Sequence, residues 1–163
     1  MIKKFFLVLI LGLCFFTVVG KTSAALTIGM EAPPLKLPDL ENDIFDLSSL
    51  KGKNIILNFW ASWSEPSLLE LIFLGENYAS FKKKNFEVVS INLDQRPAAA
   101  KFFSERRQLP FPVLLDLRLI SPGKYRLLVV PTTFIIKKDF TVSEILVNFD
   151  DAVLKRLHQL AKI

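Results

Sequence analysis

Hydrophobic and polar positions change period several times along the chain, and each change marks an element. Asn54-Ile55-Ile56-Leu57-Asn58-Phe59-Trp60 is a short, nearly continuous apolar run behind Gly52, the pattern of a strand buried on both faces of a sheet. Behind Pro66, apolar residues Leu68, Leu69, Ile72, Phe73, Tyr78 and Phe81 recur at helical spacing as far as Lys82-Lys83-Lys84. This predicts one helix with proline in its first turn and cations at its C-terminal end. Residues 86–93 predict a second strand and 98–107 a second helix, stopped before Pro110. Residues 112–116 predict a short extended piece, and 121–127 a weak helix broken by Pro122 and Gly123. Thr132–Ile136 is a third strand, Lys138-Asp139 turns the chain into a hairpin with residues 142–147, and Asp150-Asp151 opens a last helix running to Ala161. Its stripe is Val153, Leu154, Leu157 and Leu160. Upstream, Leu35 and Leu37 face Ile44, Phe45 and Leu47 across Asn42-Asp43, the pattern of a loose hairpin.

This order, β-α-β-α followed by β-β-α, predicts an α/β fold with a central mixed sheet flanked by helices on both faces and an N-terminal β-hairpin extension. Parallel neighbours joined by helices should cross over right-handed.

The first 25 residues do not join that pattern. Lys3 and Lys4 precede an apolar run at residues 5–20, and Thr22-Ser23-Ala24-Ala25 follow. A positive start, an apolar middle and small residues at a cleavage site make a secretory signal peptide. Sixteen apolar residues fall short of the ~20 that a membrane-crossing helix prefers, so an uncleaved N-terminal anchor is the alternative. The expected organisation is therefore a signal peptide at 1–25 and one domain at 26–163, exported to the periplasm or cell envelope of a bacterium. Any membrane contact would run only through an uncleaved N-terminus.

Composition narrows the function. The chain of 163 residues is 51% hydrophobic with a formal charge of +5, too apolar for a disordered chain. Three of its 21 cations lie in residues 1–25, so 18 face 16 acids on the remainder. That balance is no electrostatic footprint for nucleic acid. The single cysteine, Cys14, lies in the leader and the single histidine, His158, near the far end. One His and no further Cys cannot close a zinc site, so no metal is expected. No glycine-rich phosphate loop is present, and no cofactor is expected.

The segment Asn58-Phe59-Trp60-Ala61-Ser62-Trp63-Ser64-Glu65-Pro66-Ser67 resembles the active-site turn of a thioredoxin fold, whose usual form is Trp-Cys-x-x-Cys between a central strand and its helix. The inner Glu65-Pro66 and the later Glu70 are similar to the TlpA/ResA-like branch of the redoxins, exported thiol–disulfide reductases often tied to cytochrome c maturation. Val130-Pro131-Thr132-Thr133-Phe134 resembles the family's cis-proline loop, and Phe111-Pro112-Val113-Leu114-Leu115-Asp116 a segment common in the branch. The resemblance covers roughly residue 29 to the C-terminus. It implies that Pro131 faces the active-site turn, and that Asn58 stands where simple thioredoxins carry a buried Asp.

At the two cysteine positions of that motif this sequence has Ser64 and Ser67. Thiol–disulfide exchange needs a thiolate that attacks a disulfide sulfur and a second thiol that resolves the mixed disulfide. A hydroxyl forms no such bond, so the sequence retains no intact catalytic residue. A serine nucleophile would want a histidine base, and His158 has no motif around it. Ser64 is expected instead to cap the helix, and Ser67 with Glu70 has capping-box spacing. In the family the matching glutamate moves protons to and from the thiols.

What the resemblance leaves is a surface. Thioredoxin folds bind extended peptide in the groove between the active-site turn and the cis-proline loop, by a form of strand addition. Trp60, Trp63, Glu65, Pro66, Val130, Pro131 and Thr132 are the expected lining. Two readings follow. In the first, the chain is a redox-inert peptide-binding or accessory module of the cell envelope, with an extended peptide or envelope protein as partner. In the second, it is a thiol–disulfide oxidoreductase of the cytochrome c maturation type in a Cys-to-Ser form.

Overall fold

Residues 26–162 are described by a computed structural model; the segment read as a signal peptide lies outside them. Five strands form one sheet: β3 (Asn54–Trp60), β4 (Phe86–Asn92), β5 (Val113–Leu115), β6 (Thr132–Ile136) and β7 (Val142–Val147), in the order β5-β4-β3-β6-β7. The first three run parallel, while β6 and β7 are antiparallel to their neighbours. Ahead of them β1 (Lys36–Pro38) and β2 (Ile44–Asp46) pair as a separate antiparallel hairpin, and a bridge between Asp39 and Leu114 sets it against the free edge of β5. The fold is thioredoxin-like, as the element order and the motifs predicted.

The alternation of β3 divides the core. Ile55, Leu57 and Phe59 point to one face, against Leu35, Leu37 and Leu47 of the N-terminal region and Tyr125. Tyr125 belongs to helix α4 (Ile120–Tyr125), and its hydroxyl donates to Pro33 O at 2.7 Å. Ile56 and Trp60 point to the other face, which is covered by α1 (Glu65–Glu76), α2 (Tyr78–Lys83), α3 (Pro97–Arg107) and α5 (Asp151–Ala161) through Leu71, Leu74, Phe81, Ala100 and Leu157. Asn58 lies between Ile56 and Trp60 on β3 and so faces α1.

The single helix expected over 66–84 is two. Asn77 ends α1 and starts α2, and its side-chain amide donates to Phe73 O at 2.9 Å. Gly75 and Asn77 are poor helix formers, and a short polar side chain that bonds its own backbone competes with the helix ladder. At the opposite end of the chain, Asp150 caps α5 by accepting from the amides of Ala152 and Val153.

Candidate functional site

The site is built where β3 ends and α1 begins. Ser62 N–H is held by the carboxylate of Asp94, at 3.1 Å to its nearer oxygen, and Asn92 in turn donates to Asp94 at 3.0 Å. Both acceptor and support are buried. The next residues turn tightly: Ser64 N–H reaches Ala61 O, and Leu68 N–H reaches Ser64 O. Pro66 in the first turn has no N–H to leave unpaired, and Glu65 places a negative charge at the positive end of the helix.

The peptide bond between Val130 and Pro131 is cis. That loop meets the turn: Ser64 sits at the N-cap position of α1, yet its hydroxyl donates across to Val130 O at 3.3 Å and makes no helix cap. The expected capping box is absent for a geometric reason. Helix α1 starts at Glu65, so Ser67 and Glu70 lie inside it and neither flanks its start.

Below the surface Asn58 Nδ2 donates to Thr133 Oγ1 at 2.9 Å, and Thr133 Oγ1 donates to Glu70 Oε1 at 2.7 Å. Asn58 and Thr133 are direct partners in the β3–β6 register. Glu70 is completely buried, and burial pushes its carboxyl up to about 7, with the Thr133 and Asn58 side chains pulling against that rise. Glu70 Oε2, Ser67 Oγ and Asn58 Oδ1 have no hydrogen-bond partner. His158 is elsewhere: it is exposed on α5 and meets Phe73 edge-on at 4.7 Å. Among the described residues, no group of three or more His, Cys, Asp and Glu is placed to hold a metal ion.

The expected groove lining is partly corrected. Trp60 does not line it: the side chain is 0% exposed, in the helix-side core beside Phe103, because the alternation of β3 points it inward. Pro131 and Thr132 are buried. Trp63 (77% exposed), Glu65 and the half-buried Pro66 and Val130 remain at the surface, as do Leu128 (95% exposed) and Val129, two residues the sequence reading did not name. Those two precede the cis-proline motif, and their apolar character was the available signal. Asp94 was also missed, since nothing local ties it to residue 62, more than thirty positions away.

A parallel β3-β4-β5 core, an antiparallel β6-β7 hairpin and a cis-proline loop against the N-terminus of α1 define a thioredoxin-like protein. Residues 28–145 match the model of the AhpC/TSA family, and the chain belongs to that family. It is 38% identical over 117 residues to the thiol-disulfide oxidoreductase ResA of a Bacillus cereus strain, an overlap that spans 72% of this chain and 68% of that protein. ResA of Bacillus subtilis (strain 168) is 31% identical over 139 residues, 85% of this chain and 78% of the relative. Among solved structures, one described as a thiol:disulfide interchange protein DsbE from Chlorobium tepidum superposes with a TM-score of 0.78 at 31% identity, covering 83% of this chain and 96% of that one.

Proposed function

We propose that this chain is an exported member of the ResA-like branch that has lost thiol chemistry and works as a peptide-binding or accessory module in the cell envelope. One observation carries the reading: Ser64 and Ser67 flank Glu65-Pro66 at the start of α1, and no residue from 26 to 163 is a cysteine. With no thiolate, neither attack on a disulfide nor its resolution has a nucleophile. Exposed apolar side chains support a binding role. Trp63 on the turn and Leu128, Val129 and Val130 on the loop expose apolar surface on the two elements that the Ser64–Val130 bond joins. The leader-like residues 1–25 support export.

The test is a panel of extended peptides, scored for binding by fluorescence anisotropy against the wild type and Trp63→Ala. An aromatic at the centre of such an interface contributes about 2 kcal/mol or more, so Trp63→Ala should weaken capture about 30-fold. Binding that is unaffected by Trp63→Ala, or no binding by the wild type to any member of the panel, counts against the reading.

The second reading, an oxidoreductase in Cys-to-Ser form, is favoured by the cluster under the turn. Ser67 Oγ and Glu70 Oε2 are buried without partners, an arrangement suited to the family's thiol and its proton-transfer acid. The codons at positions 64 and 67 in the natural gene separate the two readings.

A further inference from the structure

Three loops meet at the end of the sheet opposite the cis-proline site. Lys51-Gly52-Lys53 leads into β3, Lys82 to Asn85 ends α2 and leads into β4, and Lys137 to Thr141 joins β6 to β7. Backbone bonds tie them together: Gly52 N–H donates to Lys138 O at 3.1 Å, and Asn54 N–H to Asn85 O at 3.2 Å. These loops carry seven lysines, all exposed except the half-buried Lys53. In the sequence Lys82-Lys83-Lys84 read only as a helix end; the fold sets it beside two further pairs.

Three acids stand with them. Glu87 is buried and is held by Lys53 at 3.1 Å and Lys82 at 2.8 Å. Asp139 accepts from Thr141 inside the β6–β7 turn, and Glu31 bridges to Thr141 from the other side. Seven cations against three acids here leave eleven against thirteen on the remainder of residues 26–163. The small overall charge therefore conceals a strongly positive end and a slightly negative body, a distribution that orients the domain toward an anionic surface.

The chain enters the domain at the same end. Gly29 N–H donates to Val142 O and Ala32 N–H to Phe140 O, both at 2.8 Å, which lays residues 29–32 along the start of β7. Ile28 (65% exposed) and Met30 leave apolar side chains at the surface there. Only residues 21–25 separate Leu26 from the apolar run at 5–20, a reach of about 20 Å at full extension. A bilayer that holds that run meets this end of the domain first. The candidate site lies at the other end of β3, whose seven residues span about 20 Å.

We propose that the lysine-rich end is a docking face for an anionic phospholipid surface. Its lysines lie on headgroup phosphates, Ile28 and Met30 enter among the headgroups, and the domain stands with the Trp63 turn pointing away from the bilayer. Lysine suits this role, being a compact hydrated charge on a flexible stem that needs no fixed partner geometry. Apolar side chains beside a basic cluster are the pattern of interfacial binding. The proximity of the apolar run favours lipid over nucleic acid as the source of phosphate. Docking is independent of whether the chain binds peptide.

The test is co-sedimentation of the full chain with vesicles of phosphatidylcholine alone and of phosphatidylcholine with one third phosphatidylglycerol. The wild type is compared with a Lys83→Gln/Lys84→Gln/Lys137→Gln/Lys138→Gln variant, which keeps both lysines that hold Glu87, and with the matching lysine-to-arginine variant. The glutamine variant should lose at least about tenfold in partition to the anionic vesicles and nothing on the neutral ones. The arginine variant should bind as the wild type does, and salt should weaken both. Equal binding by the wild type and a folded glutamine variant overturns the proposal, as does tighter binding of the wild type to duplex DNA than to the anionic vesicles. Orientation is read on the wild type alone. Trp60 and Trp63, the two tryptophans of the chain, both lie at the far end of β3, so lipids with a nitroxide on the headgroup should leave their fluorescence unquenched. Quenching on binding would put the candidate site against the bilayer and overturn the proposal, even if the glutamine variant fails to fold.

Discussion

Glu70 gives the residue scale its clearest energetic consequence. Its carboxyl titrates near 4.5 in an unfolded chain and about 7 in the fold. Between those values the unfolded chain has released a proton that the folded one keeps, so stability falls as pH rises and levels off above 7. The loss between pH 5 and 8 is about 2–3 kcal/mol, and urea unfolding of Glu70→Gln should lack that slope. The two tryptophans make a second prediction. Trp60→Ala empties a fully buried site and should destabilise by about 3–5 kcal/mol. Trp63→Ala removes a mostly exposed side chain and should change stability by less than about 0.5 kcal/mol; denaturant midpoints of the two variants check both. The sequence placed both tryptophans in the groove because a motif gives proximity, and only the strand's alternation decides which side chain points out. The serines misled similarly: a serine before a helix reads as a cap, but at 64 the carbonyl of Val130 competes for the same hydroxyl.

At the scale of elements, the strands were legible to within a residue because buried parallel strands need unbroken apolar runs, as in Asn54–Trp60. Helix α5 was equally plain, with Asp150-Asp151 at its start and a clean apolar stripe. Asp150→Ala should cost about 1 kcal/mol through loss of its two amide bonds, measured by urea unfolding. The break at Asn77 was not legible, since Tyr78 and Phe81 continue the helical spacing across it and both halves bury apolar side chains. Long-range polar ties were invisible for the same reason in each case. Asp94 with Ser62 and Tyr125 with Pro33 join residues 32 and 92 positions apart, and no local pattern encodes such a partner. Leu57→Ala on β3, at the middle of the sheet and fully buried, should destabilise by about 2–5 kcal/mol.

For the whole molecule, a family scaffold persists around a turn without sulfur. The sheet and the cis-proline loop are those of a thioredoxin-like fold, and the chain is similar to relatives named as thiol-disulfide oxidoreductases. Element order made the fold readable before any coordinates. The apolar surface near the cis-proline was readable only in part, because the exposed Leu128 and Val129 stand outside the motif. The most direct measurement is insulin reduction with dithiothreitol by residues 26–163, wild type beside the Ser64→Cys/Ser67→Cys double variant. The account predicts an inactive wild type and a variant that gains turnover, its thiols placed at the N-terminus of α1 above Glu70. Turnover by the cysteine-free wild type would contradict the absence of thiol chemistry, and an inactive but folded double variant would contradict the claim that the site is intact apart from its sulfurs.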